Sequence, residues 1–354
     1  MEREVVILSF TRAGTKLNET LCIKLNDSGR TCCGYTLEKY VRGTVLPLPG
    51  DRQELLRVRW GHAAFIFIGA AGIAVRYIAP FVKDKYTDSP VLVIDEKGEY
   101  VIPLLSGHIG GAVALADEIA GWLGATAVHT TATDIRGKFA VDVFAGKNGL
   151  LITDRERAKE ISSAVLEGEK IALYTDASNC KIRGRVPAEL VLCERLEQTG
   201  QYRHRILIGD APPDDRTEGT LLLKPRNIAA GIGCRREIAP GLLEKEFTDI
   251  LAAKGLEMSR VKAIASIDLK KDEQALVQLA GKYQIPFVTY TAEELKQVGE
   301  VTSRSEFVEK TTGVDNVCER AALLCGENGK LIQGKQTGKS MTAALVRCPV
   351  ELNF

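Results

Sequence analysis

Leu104-Leu105-Ser106-Gly107-His108-Ile109-Gly110-Gly111-Ala112-Val113-Ala114-Leu115-Ala116 decides how this chain folds. An apolar run, Val101 to Leu105, enters it as a strand, and a helical pattern, Ala112 to Leu123, leaves it. Between them lie three glycines, which let backbone approach a ligand with no Cβ in the way. The helix turns its free N–H groups and the positive end of its dipole back toward that turn. His108 sits in the middle, the one side chain type that changes charge near neutral pH. Open α/β sheets present their chemistry in this way, at the carboxyl ends of strands. The plainer alternative is a packing or capping histidine in an ordinary strand-to-helix connection.

Working outward, the same rhythm recurs. Val5 to Phe10 reads as a buried strand followed by a polar turn. Ala63 to Ala71 and Val91 to Asp95 are apolar enough for strands buried on both faces. Gly72 to Ala79 is a short helix stopped by Pro80, and Ala127 to Thr131 a further strand. The spacing predicts an N-terminal parallel α/β sheet domain over 1–145. A small middle region and linker, 146–227, follows, with a helix through Ala158, Ile161 and Val165 and a linker run at 195–227 that embeds short strands at 205–208 and 220–224. From Ile228 the strand–helix alternation restarts, giving a second C-terminal α/β domain over 228–354.

At 354 residues the chain exceeds one ordinary core. Its net charge of +1 supplies no overall field for nucleic acid or an anionic membrane, so neither is expected as a partner. Nine cysteines, odd in number and without a CxxC pair, fit reduced thiols in a cytoplasm rather than a disulfide framework or zinc site. No signal peptide is read at the N-terminus. Gly334-Lys335-Gln336-Thr337-Gly338-Lys339-Ser340 looks like a phosphate-binding loop but is one residue short and precedes a strand. It reads instead as a hairpin turn whose lysines face an anion. Cys234, beside Arg235 and Arg236, reads as a buried inert thiol rather than a nucleophile. Composition and spacing alone reach an α/β protein that binds a small anionic molecule.

Several stretches in order carry more. They are GIAVRYIAP at 72–80, DEKGEYVIPLLSGHIGGA at 95–112, LGATAVHTTATDIRGKFAVD at 123–142, GIGCRREI at 231–238 and IASIDLKKDE at 264–273. Together they resemble the cobalt-precorrin-5A hydrolase family of cobalamin biosynthesis, protein G of the anaerobic route. The resemblance runs over nearly the whole chain. Two positions depart from it: Val113 stands where Asn is usual and Glu237 where Gly is usual. A missing Asn either removes a substrate contact or costs a helix cap, about 1 kcal/mol; the second is the reading preferred here.

The resemblance implies a hydrolase. Its substrate is a cobalt-bound, contracted tetrapyrrole with a δ-lactone joining the ring A acetate to the extruded meso carbon. Water opens the lactone and a two-carbon fragment leaves as acetaldehyde, giving cobalt-precorrin-5B. Cobalt arrives with the substrate, so no cofactor and no protein metal ligand is expected. Lactone opening needs an activated water and donors for an oxyanion. His108 is the candidate base or acid, with Asp134 or Asp142 to orient it, while Asp134 is equally a turn cap and Asp142, within a strand-like run, equally a lysine's partner. Ser106, Gly107, Gly110, Gly111 and Thr131 are candidate substrate contacts, the N–H groups of Gly110 and Gly111 as oxyanion donors. Arg76, Lys83, Lys85, Arg235 and Arg236 are candidates for the substrate's carboxylates, the last two as a lid. Against these, Arg76 and the 83–85 run are equally solvated surface. A homodimer is left open. The competing reading is a non-catalytic tetrapyrrole carrier, which has no need of His108.

Overall fold

The computed structural model describes the whole chain except residues 1, 2, 52, 85, 86, 109, 176–179, 210–217 and 328, and the side chains of 133, 134 and 307. It divides into two compact units, Met1–Val143 and Phe144–Phe354.

The first unit runs β1 (Glu4–Ser9), α1 (Arg12–Asp27), β2 (Cys32–Thr36), β3 (Leu46–Pro47), α2 (Glu54–Arg59), β4 (Ala63–Ile68), α3 (Ala71–Ile78), β5 (Val91–Ile94), β6 (Tyr100–Leu105), α4 (Ala112–Leu123), β7 (Thr126–Ala127) and α5 (Ala132–Ile135), and α6 (Val141–Lys147) begins at its end. One seven-stranded sheet has the order β3-β2-β1-β4-β5-β6-β7. The apolar run at 63–68 is wholly buried because alternate residues pack on opposite faces. Ala64, Ile66 and Ile68 join Leu21, Leu25, Ala116 and Ile119 on the α1/α4 face. Phe65 and Phe67 join Leu55, Leu56, Ala74 and Ile78 on the α2/α3 face.

Three local expectations need correction. The segment after Phe10 is not a polar turn but the start of α1, a sixteen-residue helix capped by the Thr11 hydroxyl, which accepts from the Gly14 N–H at 3.0 Å. Beside Leu21, Cys22 and Leu25, its buried face includes two polar residues, Thr15 and Asn18. These are satisfied by polar partners: Thr15 Oγ1 lies 2.8 Å from Thr36 Oγ1, and the Asn18 amide donates to Ser9 Oγ at 3.1 Å. Second, the sheet is not parallel throughout: β6 runs antiparallel to β5, joined by a tight Asp95–Gly98 turn. Third, Asp142 lies not in a strand-like run but in the first turn of the helix α6.

The second unit holds β8 (Leu150–Ile152), α7 (Arg155–Glu167), β9 (Ile171–Thr175), β10 (Cys180–Arg183), β11 (Leu190–Cys193), β12 (His204–Ile208), β13 (Thr220–Pro225), β14 (Ile228–Cys234), α8 (Pro240–Ala252), β15 (Val261–Ile267), α9 (Gln274–Tyr283), β16 (Phe287–Tyr290), α10 (Ala292–Lys296), α11 (Glu306–Thr312), α12 (Val317–Cys325), β17 (Lys330–Thr337), β18 (Met341–Arg347) and β19 (Val350–Asn353). Its sheets have the orders β11-β9-β12-β13-β8 and β16-β15-β14-β18-β17, with a two-stranded β10-β19 ribbon. The expected linker at 195–227 is therefore corrected: β12 and β13 are buried inner strands of the first of these sheets, and the Pro212-Pro213 run lies outside the described residues. Arg260, 5 % exposed, ties the middle region to the last one by donating from Nε to the Pro225 carbonyl at 2.6 Å and from Nη2 to Asn227 Oδ1 at 3.1 Å. The lysine-rich stretch at 334–340 spans the β17–β18 hairpin, so it is no phosphate loop. Among the described residues, no helix is long and apolar enough to cross a membrane.

Gly231 in β14 shows how closely this unit packs. A Cβ there would collide with the Cys318 carbonyl and sit 2.5 Å from the Ala322 nitrogen, because α12 lies directly on the strand. Gly231→Ala is expected to cost about 3 kcal/mol through overpacking, read as a lower urea midpoint at unchanged m-value. An unchanged midpoint would contradict this packing.

Candidate active site

The site grows from the junction β6–α4. Ser106 leaves the strand at φ +53°, left-handed backbone that an L-residue adopts at a cost of about 1 kcal/mol or more. It is held there because it is buried and its hydroxyl donates to the Asp88 carbonyl at 3.0 Å. Asp88 is itself buried, and its carboxylate accepts from the Lys83 and Asp84 N–H groups at 2.9 and 3.0 Å and from Trp60 Nε1 at 3.2 Å. The turn then closes on itself. The Ala112 N–H donates to the Ser106 carbonyl at 3.2 Å, Val113 N–H to Gly107 at 3.0 Å, and Gly111 N–H to His108 at 3.1 Å. Gly111 takes φ +90° as the residue preceding α4.

Two consequences follow for the expected oxyanion donors. The Gly111 N–H is spent inside the turn, so in this conformation it is withdrawn as a donor, leaving Gly110. A Cβ on Gly110 would collide with the Ser106 side chain and stand 2.5 Å from the Ser106 carbonyl oxygen, so only glycine fits. Gly110→Ala is expected to push the turn outward by a fraction of an ångström, to lower kcat on the order of tenfold, and to cost about 1–3 kcal/mol of stability through the clash with Ser106. Wild-type turnover in that variant would remove Gly110 from the site.

His108 is brought to two partners that are remote in sequence. Its Nδ1 lies 3.5 Å from Asp142 Oδ2, and its Nε2 3.5 Å from the Thr131 hydroxyl. The His108 and Asp142 side chains are only 14 % and 17 % exposed. Asp142 gains its position from the first turn of α6, where its Oδ1 also accepts the Val143 N–H at 3.0 Å. A ring nitrogen on a carboxylate with the other nitrogen on a hydroxyl is the arrangement of an oriented general base. The distances are long for hydrogen bonds, as they often are without substrate.

The other candidates are less concentrated. Asp134 lies on the short helix α5, and its side chain, like Lys85 as a whole, falls outside the described residues. Arg76 on α3 and Lys83 are exposed. Arg235 and Arg236 are exposed residues of the second unit, following β14. Val113 is the second residue of α4, and Gly111 holds the capping position, so the capping account of the missing Asn is withdrawn. Glu237 sits at φ +56°, which explains why glycine is the usual residue there.

One pair escaped the sequence reading. His129 Nε2 lies 2.9 Å from Asp117 Oδ1, tying the segment that carries Thr131 to α4. Twelve residues separate the two with no shared period, so nothing in the sequence joins them. Among the described residues, no group of three or more His, Cys, Asp or Glu is placed to hold a metal ion.

Three family models match the chain in order: cobalamin synthesis G N-terminal over residues 54–134, cobalamin biosynthesis central region over 139–224, and cobalamin synthesis G C-terminus over 228–346. A cobalt-precorrin-5A hydrolase from Salmonella typhimurium is 36 % identical over 345 residues, 95 % of this chain and 94 % of that protein. Another, from Priestia megaterium, is 34 % identical over 296 residues, 80 % of this chain and 79 % of that protein. A solved cobalamin biosynthesis protein G homolog from Sulfolobus solfataricus is 24 % identical, covers 98 % of this chain and 97 % of its own, and superposes with a TM-score of 0.44. With its three segments matched in sequence order and full-length relatives above 30 % identity, the chain belongs to the cobalamin biosynthesis protein G family, whose curated members here are cobalt-precorrin-5A hydrolases.

Proposed function

We propose that this protein is a cobalt-precorrin-5A hydrolase: it opens the ring A δ-lactone of a cobalt-bound contracted tetrapyrrole with water and releases acetaldehyde, giving cobalt-precorrin-5B. Full-length relatedness to hydrolases of that name supports the reaction. The observation in this chain that carries it is His108, held between Asp142 and Thr131 at the mouth of a glycine turn. A carrier has no need of such a pair.

The chemistry balances on these residues. His108 takes a proton from water, whose oxygen attacks the lactone carbonyl carbon. The Gly110 N–H meets the oxyanion. The acyl–oxygen bond breaks, the acid is freed, and the alkoxide receives the proton from the imidazolium. In the hydroxyethyl fragment the O–H proton then leaves, C–O becomes C=O, and the carbon–carbon bond electrons remain on the macrocycle, which takes up a proton. Asp142 keeps the ring oriented and favours its cationic form. Arg76, Lys83 and Lys85, with Arg235 and Arg236 from the second unit, are proposed partners for the acetate and propionate groups. Cobalt enters as part of the substrate, and no further cofactor is proposed. The compartment proposed is the cytoplasm, where the nine free cysteines stay reduced.

The test is acetaldehyde release from anaerobically prepared cobalt-precorrin-5A. Stoichiometric release that depends on the protein supports the hydrolase. Tight binding of the substrate without release would replace it by the carrier.

A further inference from the structure

Two thiols that the reaction does not use lie together in the first unit. Cys22 is on α1 and Cys32 opens β2, and their Sγ atoms are 3.2 Å apart. Both belong to the core on the α1/α4 face, at 5 % and 9 % exposure. Successive residues of a strand point to opposite faces of the sheet, so Cys33, although adjacent to Cys32, does not share that face.

Asn26 sets the approach of the two sulfurs. Its amide donates to the carbonyls of Cys22 and Cys32 at 2.8 and 3.4 Å, and its Oδ1 accepts the Cys32 N–H at 3.0 Å. One side chain thus fixes both stretches of backbone that carry the thiols. Gly34 leaves them room, since a Cβ there would stand 3.0 Å from Cys22 Sγ. The bonded distance in a disulfide is about 2.05 Å, so the sulfurs have only about 1 Å to close.

The two thiols are chemically unequal. The Cys22 S–H faces Asn18 Oδ1 at 3.4 Å, and the Cys32 S–H donates to Cys22 Sγ. That donated hydrogen bond favours the Cys22 thiolate and pulls its pKa down, while the same bond and burial push Cys32 up. Cys22 is therefore the first to ionise, and the thiolate is the form that attacks.

We propose that Cys22 and Cys32 are a reversible oxidation site: the dithiol is the resting form, a peroxide closes it to an intramolecular disulfide, and a thiol reductant reopens it. The Cys22 thiolate attacks one oxygen of hydrogen peroxide, the O–O bond breaks, and the hydroxide that leaves takes up the proton Cys22 released. Cys22 is then a sulfenic acid. The Cys32 sulfur attacks the Cys22 sulfur, the S–O bond breaks, and water leaves with the Cys32 proton. The sulfur pair loses two electrons, and one peroxide becomes two waters. Closure by Cys32 stops Cys22 short of the sulfinic acid, which thiols do not reverse. The site rests on the first unit alone and is independent of the reaction proposed above.

The test treats the reduced full chain with equimolar hydrogen peroxide, alkylates the remaining thiols, and maps tryptic peptides without reduction. Trypsin, cutting after Lys and Arg, places Cys22 in 17–24 and Cys32 with Cys33 in 31–39. The expected product is these two peptides joined, two hydrogens lighter than their sum, and lost on treatment with dithiothreitol. Cys33→Ser keeps the link. Cys32→Ser loses it, and excess peroxide then carries Cys22 on to the sulfinic acid. Fragmentation of the wild-type linked pair, which tells Cys32 from Cys33, gives the same answer if a variant does not fold. Full recovery of Cys22 as the alkylated thiol, or its conversion to sulfinic acid in wild type, would overturn the proposal. A link that survives in Cys32→Ser, or that fragmentation assigns to Cys33, would overturn it as well.

Discussion

His108→Asn is expected to lower kcat for acetaldehyde release by roughly 10³-fold, within the range that a positioned general base contributes, while KM stays close to wild type. The imidazole is the one group of the turn able both to take a proton from water and to return it to the departing alkoxide. Asparagine keeps much of the volume and can still meet Thr131, so binding survives while proton transfer is lost. Single-turnover rates at saturating substrate separate the two effects. A variant that turns over at the wild-type rate would move the base to another group, with Asp134 the next to test. The folded state should be little affected, because the backbone of the turn is fixed by Ser106, Gly107 and Gly111 rather than by the imidazole.

Asp142→Asn comes second, with an expected loss in kcat of roughly 10²-fold. The carboxylate does two things that an amide does not. It fixes the ring so that Nε2 faces Thr131, and it stabilises the imidazolium formed when water is deprotonated. An amide NH₂ toward Nδ1 favours the wrong tautomer. The loss is set below that of His108 because the 3.5 Å separation marks a looser pair than a tightly bonded one. The double variant should be no slower than His108→Asn alone, since both residues act on one proton transfer. Additive losses would mean that Asp142 works independently of His108.

The strand–turn–helix unit at 101–123 was legible because each element carries its own local signal: an apolar run, φ-permissive glycines, then a 3.6-residue period closed by Gly124 at φ +66°. The restart at Ile228 was legible for the same reason. Helix α1 was not, since its fully buried apolar positions, Leu21, Cys22 and Leu25, lie in its second half, and its first turns bury Gly14, Thr15 and Asn18 through hydrogen bonds that a hydrophobic period does not register. Strands β12 and β13 were legible as strands but not as inner strands of a sheet, because the charged, proline-containing run between them reads as a linker. At the site, His108 could be named from its turn, yet placing Asp142 against it required knowing that 141–147 is a helix. The His129–Asp117 pair depends on tertiary placement alone.

The central claim is that water attacks the lactone carbonyl of cobalt-precorrin-5A under His108. The most direct measurement is a single turnover in ¹⁸O-labelled water under anaerobic conditions, with the macrocyclic product analysed by mass spectrometry. The account predicts one ¹⁸O in the freed ring A acetate of the wild-type product, formed together with acetaldehyde, and neither on the same timescale with His108→Asn. Acetaldehyde release with an unlabelled acetate would contradict attack at the carbonyl, and label appearing equally fast in the His108→Asn product would contradict the role given to that histidine.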